Sequence, residues 1–128
     1  MLFEAALEKA ARYAAAWSSN EPEQVAGHFA QNGSAVLNAG APIQGRADIA
    51  ENYAAPFFRD FPNSNVLVHD FRLSGNHGLF TGMLVAPPYL GMPPVRLLGW
   101  EEWTLDDNGL IRASLVWFDH DEHARQVR

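Results

Sequence analysis

The sequence predicts an α+β fold, and three observations carry that prediction. Apolar residues recur at helical spacing through most of the first sixty residues. Strand-like alternation fills the next sixty, and the turn signal Asp106-Asp107-Asn108-Gly109 joins the last two runs. The order is three helices with one strand among them, then four consecutive strands of nine to eleven residues. Helices segregated from a run of strands give an antiparallel sheet with helices on one side.

Phe3, Leu7, Ala10, Ala14 and Trp17 recur at three and four, which predicts an amphipathic first helix. Glu8 and Arg12 sit four apart on its wet face. Tyr13 lies on the flank beside Ala6, Ala10 and Trp17. It reads either as a core-edge tyrosine with its hydroxyl in water or as a hydrogen-bond donor into a cavity. Ser18-Ser19-Asn20 ends the helix. Asn20 with Glu23 reads as a capping box before a short second helix that holds Val25 and Phe29 and is broken by Gly33. Ser34 to Asn38 reads as a strand. The third helix opens at Gly45-Arg46-Ala47-Asp48-Ile49, carries Ile49, Tyr53, Phe57 and Phe61 as its stripe, is kinked at Pro56 and stops at Pro62.

Residues 65–73 alternate, with Leu67, His69, Phe71 and Leu73 sharing one face. A second strand runs from Leu79 to Ala86. The Pro87–Pro94 loop, with four prolines and Tyr89, Leu90 and Met92, reads as a lid, an oligomer contact or an ordered surface loop. The closing hairpin holds three of the four tryptophans, the pair Glu101-Glu102, and Asp119 where its second strand ends. Asp121 to Arg128 reads as a polar tail.

Composition narrows the function. A chain of 128 residues is one domain, spanning 1–128. With no cysteine, disulfide and thiolate chemistry are excluded, and a net charge of −6 argues against nucleic acid or an anionic membrane as partner. Residues 2–17 are broken by Glu4, Glu8, Lys9 and Arg12 and form neither a signal peptide nor a span, so a cytoplasmic protein is expected. His120 and His123, three apart among acidic residues, read as a solvated face, and no metal or cofactor is expected. No serine has a nucleophile-elbow context and no glycine-rich loop could cradle phosphate. What remains is acid–base chemistry in a cavity, with Tyr13, Asn38, His69, Glu101 and Asp119 as candidates.

The arrangement resembles the nuclear transport factor 2-like superfamily, in particular its SnoaL-like polyketide cyclase and ketosteroid isomerase branches. Three stretches carry the resemblance: Tyr13 to Trp17 through Phe29 and Ser34–Asn38; Gly45–Ile49 leading to Tyr53; and Asn108–Ile111 leading to Trp117-Phe118-Asp119 and Gln126. It implies a cone: a strongly curved, mostly antiparallel sheet wrapped around the three N-terminal helices, with a ligand cavity inside. It implies Asp119 as acid/base, eight residues after Ile111, and Tyr13 and Glu101 as an oxyanion-hole pair. (Protonated carboxyl donation in ketosteroid isomerase is a standard worked case.) The isomerase base position holds Asn38, and no histidine lies between Val95 and Leu105, where the cyclases use one.

The expected catalytic set is therefore Asp119, Tyr13 and Glu101, lined by Trp17, Asn38, Tyr53, Phe57, His69, Trp103, Trp117 and Phe118. Two readings stay open. One is an isomerase, cyclase or dehydratase acting on a small apolar or polycyclic carbonyl compound. The other is a non-catalytic module that binds a hydrophobic ligand or a partner. Aromatic residues on both faces of the last two strands also predict a homodimer through the outer face of the sheet.

Overall fold

The computed structural model describes residues 3–126, and the side chains of 7–119 and 121–126. Phe3 and Ala6 of the predicted helical stripe, and the His120 side chain, lie outside the described side chains. Helix α1 (Phe3–Ser18) leads through α2 (Pro22–Ala26) into strand β1 (Phe29–Leu37) and the two-residue β2 (Ile43–Gln44). Helix α3 (Arg46–Ile49), a π-helical turn (Ala50–Ala54) and α4 (Ala55–Asp60) run on without a break. Strands β3 (Asn65–Ser74), β4 (His77–Ala86), β5 (Val95–Leu105) and β6 (Ile111–Phe118) follow, then a terminal helix α5 (His120–Gln126).

The six strands form one curved, open sheet in the order β2-β1-β6-β5-β4-β3. Every neighbouring pair is antiparallel except β1 and β6. The helices cover one face. The larger of two core clusters, rich in aromatic residues, joins them to the sheet through Tyr13, Trp17, Phe29, Ile49, Tyr53, Phe71, Phe80 and Trp103; the smaller gathers Phe61, Leu84, Ala86, Val95 and Leu97. This is the expected α+β cone.

Several local expectations are corrected. No capping box forms: Asn20 adopts φ 59° and its amide donates to the Ser18 and Ser64 carbonyls, while Glu21 begins α2. Gly33 does not break a helix. It lies within β1, whose register with β6 shifts between Phe29 and Ser34, and an added Cβ there would sit 2.7 Å from the Ile111 carbonyl. Phe29 thus belongs to the strand. The kink expected at Pro56 is a π turn just before it. Proline has no N–H for the carbonyl four residues back and its ring collides with that group, so the widened turn relieves both problems. The expected polar tail is α5, capped by Asp119. It is tied to β5 by Gln126, whose side chain accepts from the Arg96 N–H and donates to the Arg96 carbonyl, both at 2.7 Å.

One buried cation was not anticipated. Lys9 turns inward from α1 and its ammonium lies 3.1 Å from His28 Nδ1 and 3.2 Å from the His28 carbonyl. Burial, with the Arg12 charge second, lowers Lys9 to about 8. Burial and then the facing Lys9 charge lower His28 from 6.5 to about 4. Between those two values the unfolded chain binds a proton on His28 and the folded chain does not, so acid favours unfolding there. His28→Gln keeps an acceptor for Lys9 and removes the titration. The fall in denaturant midpoint between pH 7 and about 4.5 is therefore expected to be smaller in His28→Gln than in the parent chain. Equal falls would mean that His28 is not the group under strain.

Candidate active site

Residues on one face of a sheet line up in rows across the strands, and three adjacent rows of the covered face build the site. In the first row, Gly78 pairs with Trp103 and Trp103 with Ser114. In the second, Phe71 pairs with Phe80, Phe80 with Glu101 and Glu101 with Val116. In the third, Val68 pairs with Gly82, Gly82 with Gly99 and Gly99 with Phe118. Glu101 thus has hydrogen-bond donors on one side along its strand and, on the other, a row whose two central positions are glycines.

The donors converge on its carboxylate. Oε1 accepts from Trp103 Nε1–H at 3.0 Å, from Ser114 Oγ–H at 2.8 Å and from the Tyr13 hydroxyl at 2.8 Å. The same Tyr13 hydroxyl lies 2.9 Å from Oε2, and Tyr53 O–H approaches Oε2 at 3.4 Å. Glu101 is only 6% exposed. Burial raises its pKa above the usual carboxylate value, and the hydrogen bonds from Trp103, Ser114, Tyr13 and Tyr53 partly oppose that rise. Both phenols are held well above the usual tyrosine value, by burial first and by the Glu101 charge second.

The third row opens a cavity of about 70 Å³ beside Glu101. Trp17, Tyr53, Phe57, Phe80, Leu97 and Phe118 are among the residues that wall it. The two glycines keep its floor low. A Cβ on Gly82 would fall 2.8 Å from the Phe80 ring, and one on Gly99 would fall 3.0 Å from the Trp117 carbonyl. Trp17 lines the cavity; its Nε1–H is buried, makes no hydrogen bond of normal geometry, and lies toward the Tyr13 hydroxyl, whose pKa it lowers. A cavity of roughly 150 Å³ accommodates one benzene ring, so this one suits a ligand of a few non-hydrogen atoms. A polycyclic compound would have to extend out through its open side.

Of the anticipated residues, Glu101, Trp17, Tyr53, Phe57 and Phe118 border the cavity. Tyr13 and Trp103 stand behind Glu101 and spend their polar hydrogens on it. Trp117 borders the cavity beside Gly99 but is 38% exposed on the outer strand parity, its ring 6.5 Å from that of Trp100. Asn38 is absent from the lining. It takes φ 47°, its Oδ1 accepts the Phe118 N–H at 2.9 Å, and its Nδ2 is buried without a partner.

His69 does not reach the cavity. The register of β3 on β4 slips between Val68 and Asp70, so His69 is the extra, exposed residue of a bulge. Strict alternation along residues 65–73 is therefore wrong, and Val66 and Phe71 share the inner face. Asp119 is not flanked by apolar groups as expected. It lies exposed beyond the end of β6, where its Oδ1 accepts the Glu122 N–H at 3.0 Å and its carbonyl accepts the His123 N–H. Phe118, packed 5.9 Å from Phe57, is the one of this adjacent pair that faces inward. Ser114 was missed. Its signal was a hydroxyl on the same strand parity as Val116 and Phe118. Among the described residues no group of three His, Asp or Glu is placed to hold a metal, and no helix is long and apolar enough to cross a membrane.

Comparison with known proteins places the fold. The family model described as a SnoaL-like domain matches residues 10–114. No curated protein sequence matches significantly. A protein of ketosteroid isomerase-like fold from Catenulispora acidiphila, solved in complex with trimethylamine, is 21% identical with a TM-score of 0.83, covering 94% of this chain and 92% of its own. A protein assigned as a SnoaL-like polyketide cyclase from a Jannaschia species is 18% identical with a TM-score of 0.77, over 94% of this chain and 90% of its own. A protein assigned as an isomerase of the SnoaL-like family from Agrobacterium tumefaciens is 22% identical with a TM-score of 0.72, over 89% and 97%. At these identities the likeness establishes the fold and not the activity.

Two substitutions check the site. Tyr13→Phe removes a donor to a buried carboxylate and is expected to cost roughly 1.5–3 kcal/mol in denaturant unfolding. It should also raise the Glu101 pKa further, read by carboxyl carbon NMR, since the lost bond favoured the charged form. Asp119→Ala is expected to cost about 1 kcal/mol through loss of the α5 cap, with Asp119→Asn close to the parent. An Asp119→Asn variant as unstable as Asp119→Ala would mean the carboxylate does more than cap.

Proposed function

The chain belongs to the SnoaL-like domain family, and from that premise we propose a small-molecule acid–base domain. In it Glu101 is the proton-exchanging group for a small hydrophobic carbonyl compound held in the aromatic cavity. One observation carries this reading: a desolvated carboxyl forms the polar wall of a cavity that is otherwise aromatic and aliphatic. A carboxyl whose pKa is raised by burial can give and take protons near neutral pH, which an exposed one does poorly.

In this reading a ligand carbonyl oxygen accepts from the Trp17 N–H, which makes no well-formed hydrogen bond within the protein. The carbon next to it faces Glu101, whose Oε2 is the less occupied oxygen. Glu101 removes an α-proton, the developing enolate is held by the indole donor, and the proton returns at another carbon or the enolate attacks or eliminates. Isomerisation, cyclisation and dehydration share that intermediate. Tyr13, Ser114 and Trp103 are positioning residues that fix the carboxyl. The sequence-derived role of Asp119 as acid/base passes to Glu101, because Asp119 is exposed and capping α5. The trimethylamine held by the Catenulispora protein supports a ligand of this small size.

Asn38 favours the second reading, a binding module without catalysis. It occupies the position of the isomerase base and its oxygen is committed to the Phe118 N–H. Assembly belongs to the proposal too. Leu79, Leu98, Trp100, Leu115 and Trp117 form an exposed apolar patch on the outer face, with Trp100 at 44%. We read it as the interface of a homodimer, in a protein that works in the cytoplasm.

Deuterium exchange of acetone α-protons, followed by NMR, separates the readings. Glu101→Gln is expected to slow exchange by roughly 10²-fold or more while Asp119→Asn leaves it unchanged. Slowing by Asp119→Asn alone would reverse the assignment. Acetone binding with no exchange above buffer would select the binding module. Trp100→Lys should shift sedimentation from dimer toward monomer, and a parent chain that is monomeric at micromolar concentration would remove the dimer.

A further inference from the structure

The charge of Glu101 has no cation to balance it, and this points to a second class of ligand. The inference rests on the reading of the cavity as a binding site but not on carbonyl chemistry. None of the ion pairs among the described residues includes Glu101. The walls beside it are the rings of Trp17, Tyr53, Phe57, Phe80 and Phe118. Ring faces carry negative potential and attract cations, most strongly where water is excluded. A buried carboxylate set among such faces repels an anion and attracts a small organic cation.

The hydrogen-bond count narrows the cation. Oε1 already accepts three donors, from Tyr13, Trp103 and Ser114. Oε2 shares the single Tyr13 proton and has only the long 3.4 Å approach from Tyr53. It has room for one more N–H. A primary ammonium would bring three, and those left over would be stranded among apolar groups at about 1–3 kcal/mol each. A quaternary ammonium would bring none. A tertiary ammonium brings one N–H and three alkyl groups, which match one acceptor and an aromatic enclosure. On the benzene scale the volume of about 70 Å³ takes roughly three non-hydrogen atoms, so a small trialkylammonium fills it and projects an alkyl group at its open side.

We propose that the cavity binds a small tertiary amine as its trialkylammonium ion, the N–H donating to Glu101 Oε2 and the alkyl groups packing on the rings. The proton balance is simple. A neutral amine takes the proton of a protonated Glu101. An amine arriving as its cation meets the carboxylate, or displaces the carboxyl proton to solvent. In each case the bound pair shares one proton between nitrogen and Oε2.

Titrating the full chain at pH 7 with trimethylammonium, tetramethylammonium, methylammonium and acetone, read from the indole N–H signals, tests this. Trimethylammonium is expected to bind about tenfold or more tighter than either other cation, the worth of one charge-assisted hydrogen bond. Glu101→Gln should weaken trimethylammonium by a similar factor and acetone by no more than about twofold. Should Glu101→Gln fail to fold, Tyr53→Phe serves. It removes the competitor for Oε2 and should hold or improve trimethylammonium affinity. Tetramethylammonium binding equal to trimethylammonium, or a tenfold loss in Tyr53→Phe, overturns the proposal. Acetone binding without any cation binding overturns it and leaves the acid–base reading standing. No binding of any probe overturns both.

Discussion

A carboxylate buried without a countercharge is the costliest group in this chain, and much of the architecture serves it. Taking an ionised carboxyl out of water costs several kcal/mol even after relaxation, unless hydrogen bonds replace the lost solvent. Glu101 receives them from three separate parts of the chain: Tyr13 from α1, Tyr53 from the π turn, and Ser114 and Trp103 from the central strands. Those contacts tie the N-terminal helix to a strand 88 residues away. The carboxyl is therefore a device for fixing helix against sheet as well as a chemical group.

The same row geometry that satisfies Glu101 leaves space beside it. Paired glycines at 82 and 99 leave the centre of one row without side chains, and Phe118 and Phe57 close that row without filling it. A Cβ at 99 would crowd the Trp117 carbonyl and one at 82 the Phe80 ring, so backbone holds the gap at one position and a neighbouring side chain at the other. Polar wall and cavity thus arise together from the register of β4, β5 and β6. A one-residue slip would turn Glu101 to the wet face and bring Trp100 inward.

The two faces of β5 and β6 divide the labour. Glu101, Trp103 and Phe118 face the helices, while Trp100, Trp117, Leu98 and Leu115 face outward. The Pro87–Pro94 loop is of a piece with the exposed apolar face: Leu90 at its tip is 87% exposed, with Tyr89 and Met92 bridged beneath it.

The sequence by itself determined the α+β class, the long helices and the four-strand meander, because helical and strand periods are written in consecutive residues. It also brought Glu101, Tyr13, Trp17, Tyr53 and Phe57 forward as candidates for one site, through the resemblance those stretches carry, and left open whether Phe118 or Asp119 turns inward. Tertiary structure alone decided the remainder. His69 left the site because a bulge added one residue to β3, and register is a property of two strands' pairing rather than of one strand. Asp119 left because the chain turned into α5 one residue later and used the carboxylate as a cap. Ser114 joined the site, and Lys9 was buried against His28 away from it, because burial depends on what packs opposite, and local sequence does not specify that. That Glu101 and not Asp119 is the desolvated carboxyl has the same cause: desolvation is set by neighbours distant in the chain, and only the folded sheet brings them within reach.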